Sequence, residues 1–416
     1  MSEPHVLDPA AQDVHGEASL LREQGPATRI VLPGNVLAWA VTDQDLLTKV
    51  LRHHQVSKNA DAHWRAWRDG EIPRPWALDL FVTPQNMLTA HGDDLRRLRS
   101  VMMGSLTRQR VAALGPRISA IADRLLDAIA EAPGDQPIDL RAEYADPLPI
   151  AVICELFGVP VGSIQHGLRE VANQIFATAA SPHEAEANGI RMYELLGDLV
   201  AHTRRHPADN FTHALIALHD HDPGRLSEQE LLDTLVLVIV AGHKTTTDLL
   251  DQAITALLSN SNELRRARTG SVAWSEVIEE TLRCHPPVST FPLRFAIEDL
   301  MFPEYPGVRI PAGDAILAHY AGAGRDPRVH EDPDRFDPTR TAKDHVSFGD
   351  GMHRCIGEPL ARLESGIALP ALFRRFPDLQ LAVPPTALRP VRSFVLNGHE
   401  LLPVHTGTTP VPSAAS

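Results

Sequence analysis

The sequence predicts a mainly helical fold with a few short β-strands. Three observations predict it: apolar residues recur at helical spacing, strand-like alternation is confined to short runs, and prolines gather in long irregular segments. Gln109–Ala132 places apolar residues three and four apart with charges between them, and the pattern returns at about 185–205, 228–258 and 272–283. Strand-like runs fall at Thr28–Leu32 with Ala38–Val41, Gly307–Ile310 with Ala315–Ala318, and Leu379–Val383 with Leu401–His405. The 34 prolines concentrate in Ile72–Pro84, His285–Pro292 and Asp326–Pro338, where fixed φ and missing amide donors favour ordered coil. Long structureless connections in a compact fold usually carry function or wrap a ligand.

With 416 residues, 43% of them hydrophobic, the chain can bury a large core, and no linker-like change of composition divides it. A single domain over residues 1–416 is expected, with 1–14 and 407–416 as flexible tails. A net charge of −14 argues against a nucleic-acid surface and against acidic lipids as partners. Three scattered cysteines, Cys154, Cys284 and Cys355, form neither a disulfide framework nor a Cys-x-x-Cys metal pair, which points to a reducing, cytoplasmic setting. Met1–Gly16 lacks the basic-then-apolar order of an export signal. The best apolar run, Leu235–Gly242, falls far short of the roughly 20 residues that span a bilayer.

The densest chemical signal is Phe348-Gly349-Asp350-Gly351-Met352-His353-Arg354-Cys355-Ile356-Gly357, followed by Glu358-Pro359 and a helix-like run. A glycine-rich loop delivers one cysteine to a helix start, where free amide N–H groups and the helix dipole stabilise a thiolate able to ligate metal. A lone cysteine is more often a small buried hydrophobe. The complete pattern F-x-x-G-x-H-x-C-x-G, however, resembles the haem-ligand loop of the cytochrome P450 family. The resemblance implies the fold of that family, helices with small sheets enclosing haem b. It makes Cys355 the thiolate ligand of the iron, packs Phe348 with Gly349 and Gly357 around the porphyrin, and sets His353 against a propionate.

Other motifs stand in the family's order. Glu280-Thr281-Leu282-Arg283 is an E-x-x-R, whose i, i+3 spacing puts carboxylate and guanidinium on one helix face; the resemblance adds Arg335 as a third member. Ala241-Gly242-His243-Lys244-Thr245-Thr246 interrupts an apolar helix with small residues. In the family this helix crosses the distal haem face, with small residues such as Ala241 close against the flat cofactor, room for oxygen at the glycine, here Gly242, and an acid–threonine pair relaying protons to bound dioxygen. Thr245 matches the threonine, but Lys244 stands at the acid position and cannot accept a proton while cationic. Three readings follow: the lysine points away and solvent delivers protons, a neutral amine relays them, or no oxygen is inserted. Arg99 and Arg294 match propionate-binding arginines, with Leu95 where a histidine is frequent. Planar guanidinium groups suit paired carboxylate oxygens.

From family layout the substrate pocket takes Phe81, Val82, Asn86 and Met87 from the first proline loop, Gln174 and Phe176 further along, and Leu237 and Val240 from the distal helix. Val288, Ser289 and Phe291, and Phe394, Val395 and Leu396 from the last turn, complete it. Segments such as His63-Trp64-Arg65-Ala66-Trp67 resemble actinomycete members acting on steroids, macrolides or other secondary metabolites. The implied function is a haem-thiolate monooxygenase oxidising a C–H bond of a hydrophobic small molecule with dioxygen. Electrons would come from ferredoxin and ferredoxin reductase, since the chain holds no flavin or iron–sulfur segment. Arg96, Arg97, Arg354 and Arg362 would form a basic docking patch. The rivals are oxidative coupling of aromatic molecules such as cyclodipeptides, without oxygen insertion, and a non-catalytic helper that keeps the fold.

Overall fold

The computed structural model describes residues 3–131, 136–160, 162–174 and 181–407. Helices dominate them, and the longest, Glu228–Ser259, is buried along most of its length from Leu231 to Leu257. Its start is written in the sequence: Ser227 Oγ accepts from the Glu230 N–H, and the Glu230 carboxylate accepts from the Ser227 N–H. Helix Pro147–Phe157 begins on a proline in its first turn, ends at Gly158 with φ 68°, and packs against the long helix. The two meet at Gly242, where an added Cβ would stand 2.6 Å from Ile153 Cδ1. Helices Gly115–Glu131, Trp274–Cys284 and Glu358–Arg375 pack around this pair. The stretch expected as one helix over Gln109–Ala132 is two, Arg108–Ala113 and Gly115–Glu131, because Gly115-Pro116 restarts the chain.

A six-stranded sheet runs from edge to edge as His5–Val6, Ala27–Leu32, Val36–Val41, Ala315–His319, Thr290–Ala296 and Val56–Ser57. The runs expected as partners at Gly307–Ile310 and Ala315–Ala318 part company. Ala315–His319 enters this sheet, while Tyr305–Ile310 pairs with Leu300–Phe302. Gln380–Leu381 and Pro403–His405 pair antiparallel as expected, joined by Ile138–Asp139. Strand Thr290–Ala296 grows out of a segment whose prolines suggested coil. It accommodates Pro292 because the register slips between Phe291 and Arg294, a bulge at which no ladder hydrogen bond is required. The amino-terminal residues are not a free tail. His5–Val6 pairs parallel with Ile30 and Val31, and Leu7 is buried.

Buried charge stitches distant segments together. A π-helical turn, Arg141–Ala145, presents Arg141, whose Nη2 donates to Asp248 Oδ1 at 2.7 Å and Nη1 to Asp251 Oδ2 at 2.5 Å. Asp251 Oδ1 lies 2.7 Å from His399 Nδ1, and Oδ2 accepts from the His399 N–H at 2.8 Å. Burial lowers the His399 imidazole pKa, but Asp251 more than offsets it, so the net shift is upward from 6.5. Burial raises the Asp251 carboxyl, and His399 with Arg141 brings the net below 3.8. The histidine therefore contributes stability below about pH 6.5 that is lost as pH rises through its raised pKa, and the aspartate contributes stability above about pH 3.8. His399→Asn should cost most at about pH 5 and progressively less toward about pH 8, as read by denaturant midpoints across that range.

Candidate active site

The Cys355 loop closes on itself. The Cys355 N–H donates to Phe348 O at 2.8 Å, and the Gly349 N–H to Val346 O at 2.7 Å. Gly349 and Gly351 both sit at φ +67°, and a Cβ on Gly351 would stand 2.6 Å from Leu51 O, so only glycine fits there. Helix Glu358–Arg375 starts directly after, with Pro359 in its first turn. Cys355 is exposed and lines a cavity of about 240 Å³. Burial raises its thiol pKa, while the N–H groups of Gly357 and Glu358 pull the other way by stabilising a thiolate.

The loop is held from behind by Glu280 and Arg283, both fully buried on helix Trp274–Cys284. Arg283 Nε and Nη2 donate to the two Glu280 carboxylate oxygens at 2.9 and 2.7 Å. Its Nη1 donates to Gly324 O and Pro333 O, each at 2.8 Å, and Nη2 to Arg335 O at 3.0 Å. Arg335 was expected to join this group through its side chain. That side chain is 65% exposed, with Asp337 as its ion partner at 3.5 Å, and the segment contributes its backbone carbonyl instead. Arg340, with Nε 3.6 Å from Glu280 Oε1, takes the place of the third charged member. Ser347 Oγ donates to Leu282 O at 2.5 Å, tying the helix to the cysteine loop.

Across the cavity from Cys355 runs the long helix, with Ala241, Gly242, Thr245 and Thr246 in the wall. Thr245 Oγ1 donates to Ala241 O at 2.6 Å, leaving its lone pairs toward the cavity. Lys244 turns away and is buried, its Nζ 3.4 Å from Asp146 Oδ1.

One end of the cavity concentrates positive charge. Both ring nitrogens of His353 and Nη1 of Arg294 are buried without hydrogen-bond partners. Burial, then Lys58, Arg294, Arg99 and His91, hold the His353 pKa well below its usual value. Arg99 donates to Arg354 O at 2.9 Å and feels Cys355. Lys58, missed by the sequence reading, is fully buried with Nζ donating to Pro292 O at 3.2 Å and standing 4.6 Å from the Phe291 ring centroid. Burial, then Arg294, lowers the Lys58 ammonium pKa well below its usual value, and neither Lys58 nor Arg294 has a carboxylate partner among the described residues, so an anion here would relieve both; the two carboxylates of a flat, metal-bearing cofactor would fit this donor set. Nothing in the sequence around Lys58 marked it; the bulge at Pro292 brings it here.

Of the expected pocket residues, Phe81, Asn86, Met87, Leu237, Val240, Val288 and Phe291 line the cavity. Val82, Ser289, Phe394, Val395 and Leu396 are buried off it, because Ser289 Oγ and Thr290 Oγ1 donate to Phe394 O and the Ser289 N–H to Val395 O, folding that turn into the core. Gln174 is exposed, and Phe176 lies outside the described residues. Leu80, Leu88, Met102, Ile153, Leu156 and Leu249 line the cavity unforeseen. Each of the four arginines expected to form a basic patch has a carboxylate partner: Arg96 with Asp93, Arg97 with Glu230, and Arg354 and Arg362 with Glu358.

A cysteine lining the cavity, cations gathered at one end and a small-residue helix opposite fit an oxidoreductase with a metal-bearing cofactor. Residues 274–397 match the cytochrome P450 family model. The chain is 41% identical to 2-hydroxy-5-methyl-1-naphthoate 7-hydroxylase of Streptomyces carzinostaticus over 97% of both chains. It superposes on CYP154A1 of Streptomyces coelicolor A3(2) with a TM-score of 0.91 at 46% identity, covering 97% of this chain and 100% of that one. Testosterone-bound CYP154C4 of Streptomyces sp. ATCC 11861 matches with a TM-score of 0.93 at 38% identity, covering 98% and 99%. The chain belongs to the cytochrome P450 family, a haem-iron monooxygenase. No helix among the described residues is long and apolar enough to cross a membrane.

Two outcomes follow. Glu280→Ala strands a buried guanidinium and should cost about 3–5 kcal/mol of stability, with loss of the Soret band preceding helix loss in a denaturant titration. Lys58→Met removes a desolvated charge that the cofactor-free chain does not need. It should leave the apoprotein at least as stable as wild type yet speed haem transfer to apomyoglobin.

Proposed function

We propose that this monooxygenase hydroxylates an unactivated C–H bond of a largely apolar, multi-ring secondary metabolite in the cytoplasm, using haem b and electrons delivered by a ferredoxin and its reductase. The observation that carries the reading is the composition of the cavity wall away from Cys355. Leu80, Phe81, Met87, Leu237, Val240, Val288 and Phe291 make it apolar, so a ligand there is held by shape and by the water it displaces rather than by charge. A naphthoate hydroxylase among the relatives and a steroid-bound neighbour agree with a rigid ring system of that character.

Cys355 would hold the iron, with Arg99, Arg294, His353 and Lys58 on the propionates and Phe348, Gly349 and Gly357 around the ring. Haem iron bound in this way supplies the activation of dioxygen and the oxidation of the C–H bond. Thr245 Oγ1 would handle the proton on the cavity side, its own hydrogen shared with Ala241 O. The small side chains at Ala241 and Gly242 leave space beside it. Oxidative coupling drew its support from Lys244, and the burial of that lysine against Asp146 accounts for the residue without abandoning insertion.

The test is a titration of the ferric protein with steroids, macrolactones and fused-ring aromatic acids, followed by turnover of any compound that shifts the Soret band under isotopically labelled dioxygen. A product carrying one labelled oxygen is expected. A coupled product without label would replace insertion by coupling, and a chain that takes up no haem would leave the helper reading.

A further inference from the structure

The long helix holds a lysine at the position before Thr245, its own nearby carboxylate Asp248 is bound to Arg141, and a further carboxylate reaches Lys244 from the start of another helix. Asp146 stands where the π-helical turn Arg141–Ala145 passes into helix Pro147–Phe157, and its side chain is 8% exposed. Its Oδ1 lies 3.0 Å from His243 Nε2 and 3.4 Å from Lys244 Nζ. Its Oδ2 accepts from Arg169 Nε at 3.3 Å. Arg169 is 42% exposed and lines a second cavity together with Pro147, Gln165, His166 and Arg124. That cleft sets solvent one residue from Asp146, while the next residue after Lys244 faces the first cavity.

We propose that Asp146 supplies from a second helix the carboxylate that position 244 lacks, and that Asp146 and Lys244 form a proton path from the Arg169 cleft to Thr245 Oγ1. Lys244 Nζ gives a proton to Oγ1, directly on a swing of its flexible stem or through one water, as Oγ1–H passes its own proton into the cavity. The Asp146 carboxylate takes a proton from hydronium in the cleft and passes it to the neutral amine, so lysine and carboxylate return to their starting charges and one proton crosses per passage. The electrostatics favour the release. Burial and then Arg141 lower the ammonium pKa, opposed by Asp248 and Asp146, and burial is also the chief cause lowering the pKa of His243 beside it. Both residues act through Thr245 and are positioning residues; the inference rests on the monooxygenase reading.

Lys244→Arg separates a relay from a brace, because arginine keeps the ion pair with Asp146 and does not give up its proton. Oxygen consumption driven by NADPH, a ferredoxin and its reductase is followed without added substrate, in water and in deuterium oxide, so failure here is independent of failure to find a substrate. Lys244→Arg and Asp146→Asn should each slow it about tenfold or more, with a larger solvent isotope effect. Asp146→Glu, and the reversed pair Asp146→Lys with Lys244→Asp, should recover at least half the rate. A second readout needs no turnover. The chain has four lysines, Lys49, Lys58, Lys244 and Lys343, so nitrogen-15 lysine NMR of the diamagnetic ferrous carbon monoxide form resolves the Lys244 amine. It should titrate below exposed Lys49 and fall further in Asp146→Asn. Wild-type oxygen consumption in Lys244→Arg, or an amine that ignores Asp146, would overturn the proposal.

Discussion

A cysteine on an irregular loop faces a cavity at a fixed place only if the turn that carries it cannot drift, and in this protein that constraint is met by one guanidinium. All five N–H groups of Arg283 are used, two on Glu280 and three on the backbone carbonyls of Gly324, Pro333 and Arg335. Gly324 closes the short helix Tyr320–Gly324, and Pro333 and Arg335 belong to the long coil that leads from it into the cysteine loop, so a planar, rigid fork fixes a segment with little regular structure of its own. The close approach of Gly324 to the Arg283 backbone shows how little slack remains: a Cβ there would stand 2.1 Å from the Arg283 carbonyl oxygen. Removing the charge pair in favour of apolar residues could preserve packing but would leave three carbonyls without donors.

The same cavity is bounded by two opposite electrostatic solutions. Toward His353, the cations Lys58, Arg294 and Arg99 converge without a carboxylate, an arrangement unfavourable by itself that becomes favourable only around an anionic cofactor. Behind the long helix, Arg141, Lys244 and His399 interleave with Asp146, Asp248 and Asp251, and charge is settled within the chain. An anionic ligand bound at the first would add to the stability of the fold. The second lets a buried helix carry polar groups without a ligand, and so keeps Thr245 in place whether or not the cavity is filled.

The parts of this architecture that depend on local pattern were legible in the sequence. The glycines of the cysteine loop and the E-x-x-R spacing each act over a few residues, and the structure places them as read; the capping box at Ser227 and Glu230 is just as local, although it went unread in the sequence. What depends on tertiary register was not. Arg335 and Arg340 are five residues apart on the same coil, and only the path of that coil decides which side chain faces Glu280. Phe394, Val395 and Leu396 are as apolar as any pocket residue, but the hydroxyls of Ser289 and Thr290 pin their turn into the core. Lys58 is a lone lysine with no motif, and Asp146 answers Lys244 from 98 residues away.

The long helix also explains how specificity and chemistry can vary separately. Asp233, buried near its amino-terminal end, accepts from the Gln85 N–H and the Tyr193 hydroxyl, each at 2.5 Å, while the Asp233 carbonyl accepts from Asn86 Nδ2 at 3.1 Å. The loop carrying Phe81, Met87 and Leu88 over the cavity is thus hung from one point of a rod. Thr245 lies twelve residues further along, about 18 Å at 1.5 Å per residue. Because the rod is stiff and its lower half is pinned by Arg141 and Asp146, a side-chain change in that loop alters the shape offered to a substrate while the hydroxyl and the small residues beside it stay where they are. A rigid element that fixes both ends, with the loop hung from one of them, separates the shape of the cavity wall from the position of the hydroxyl at the other.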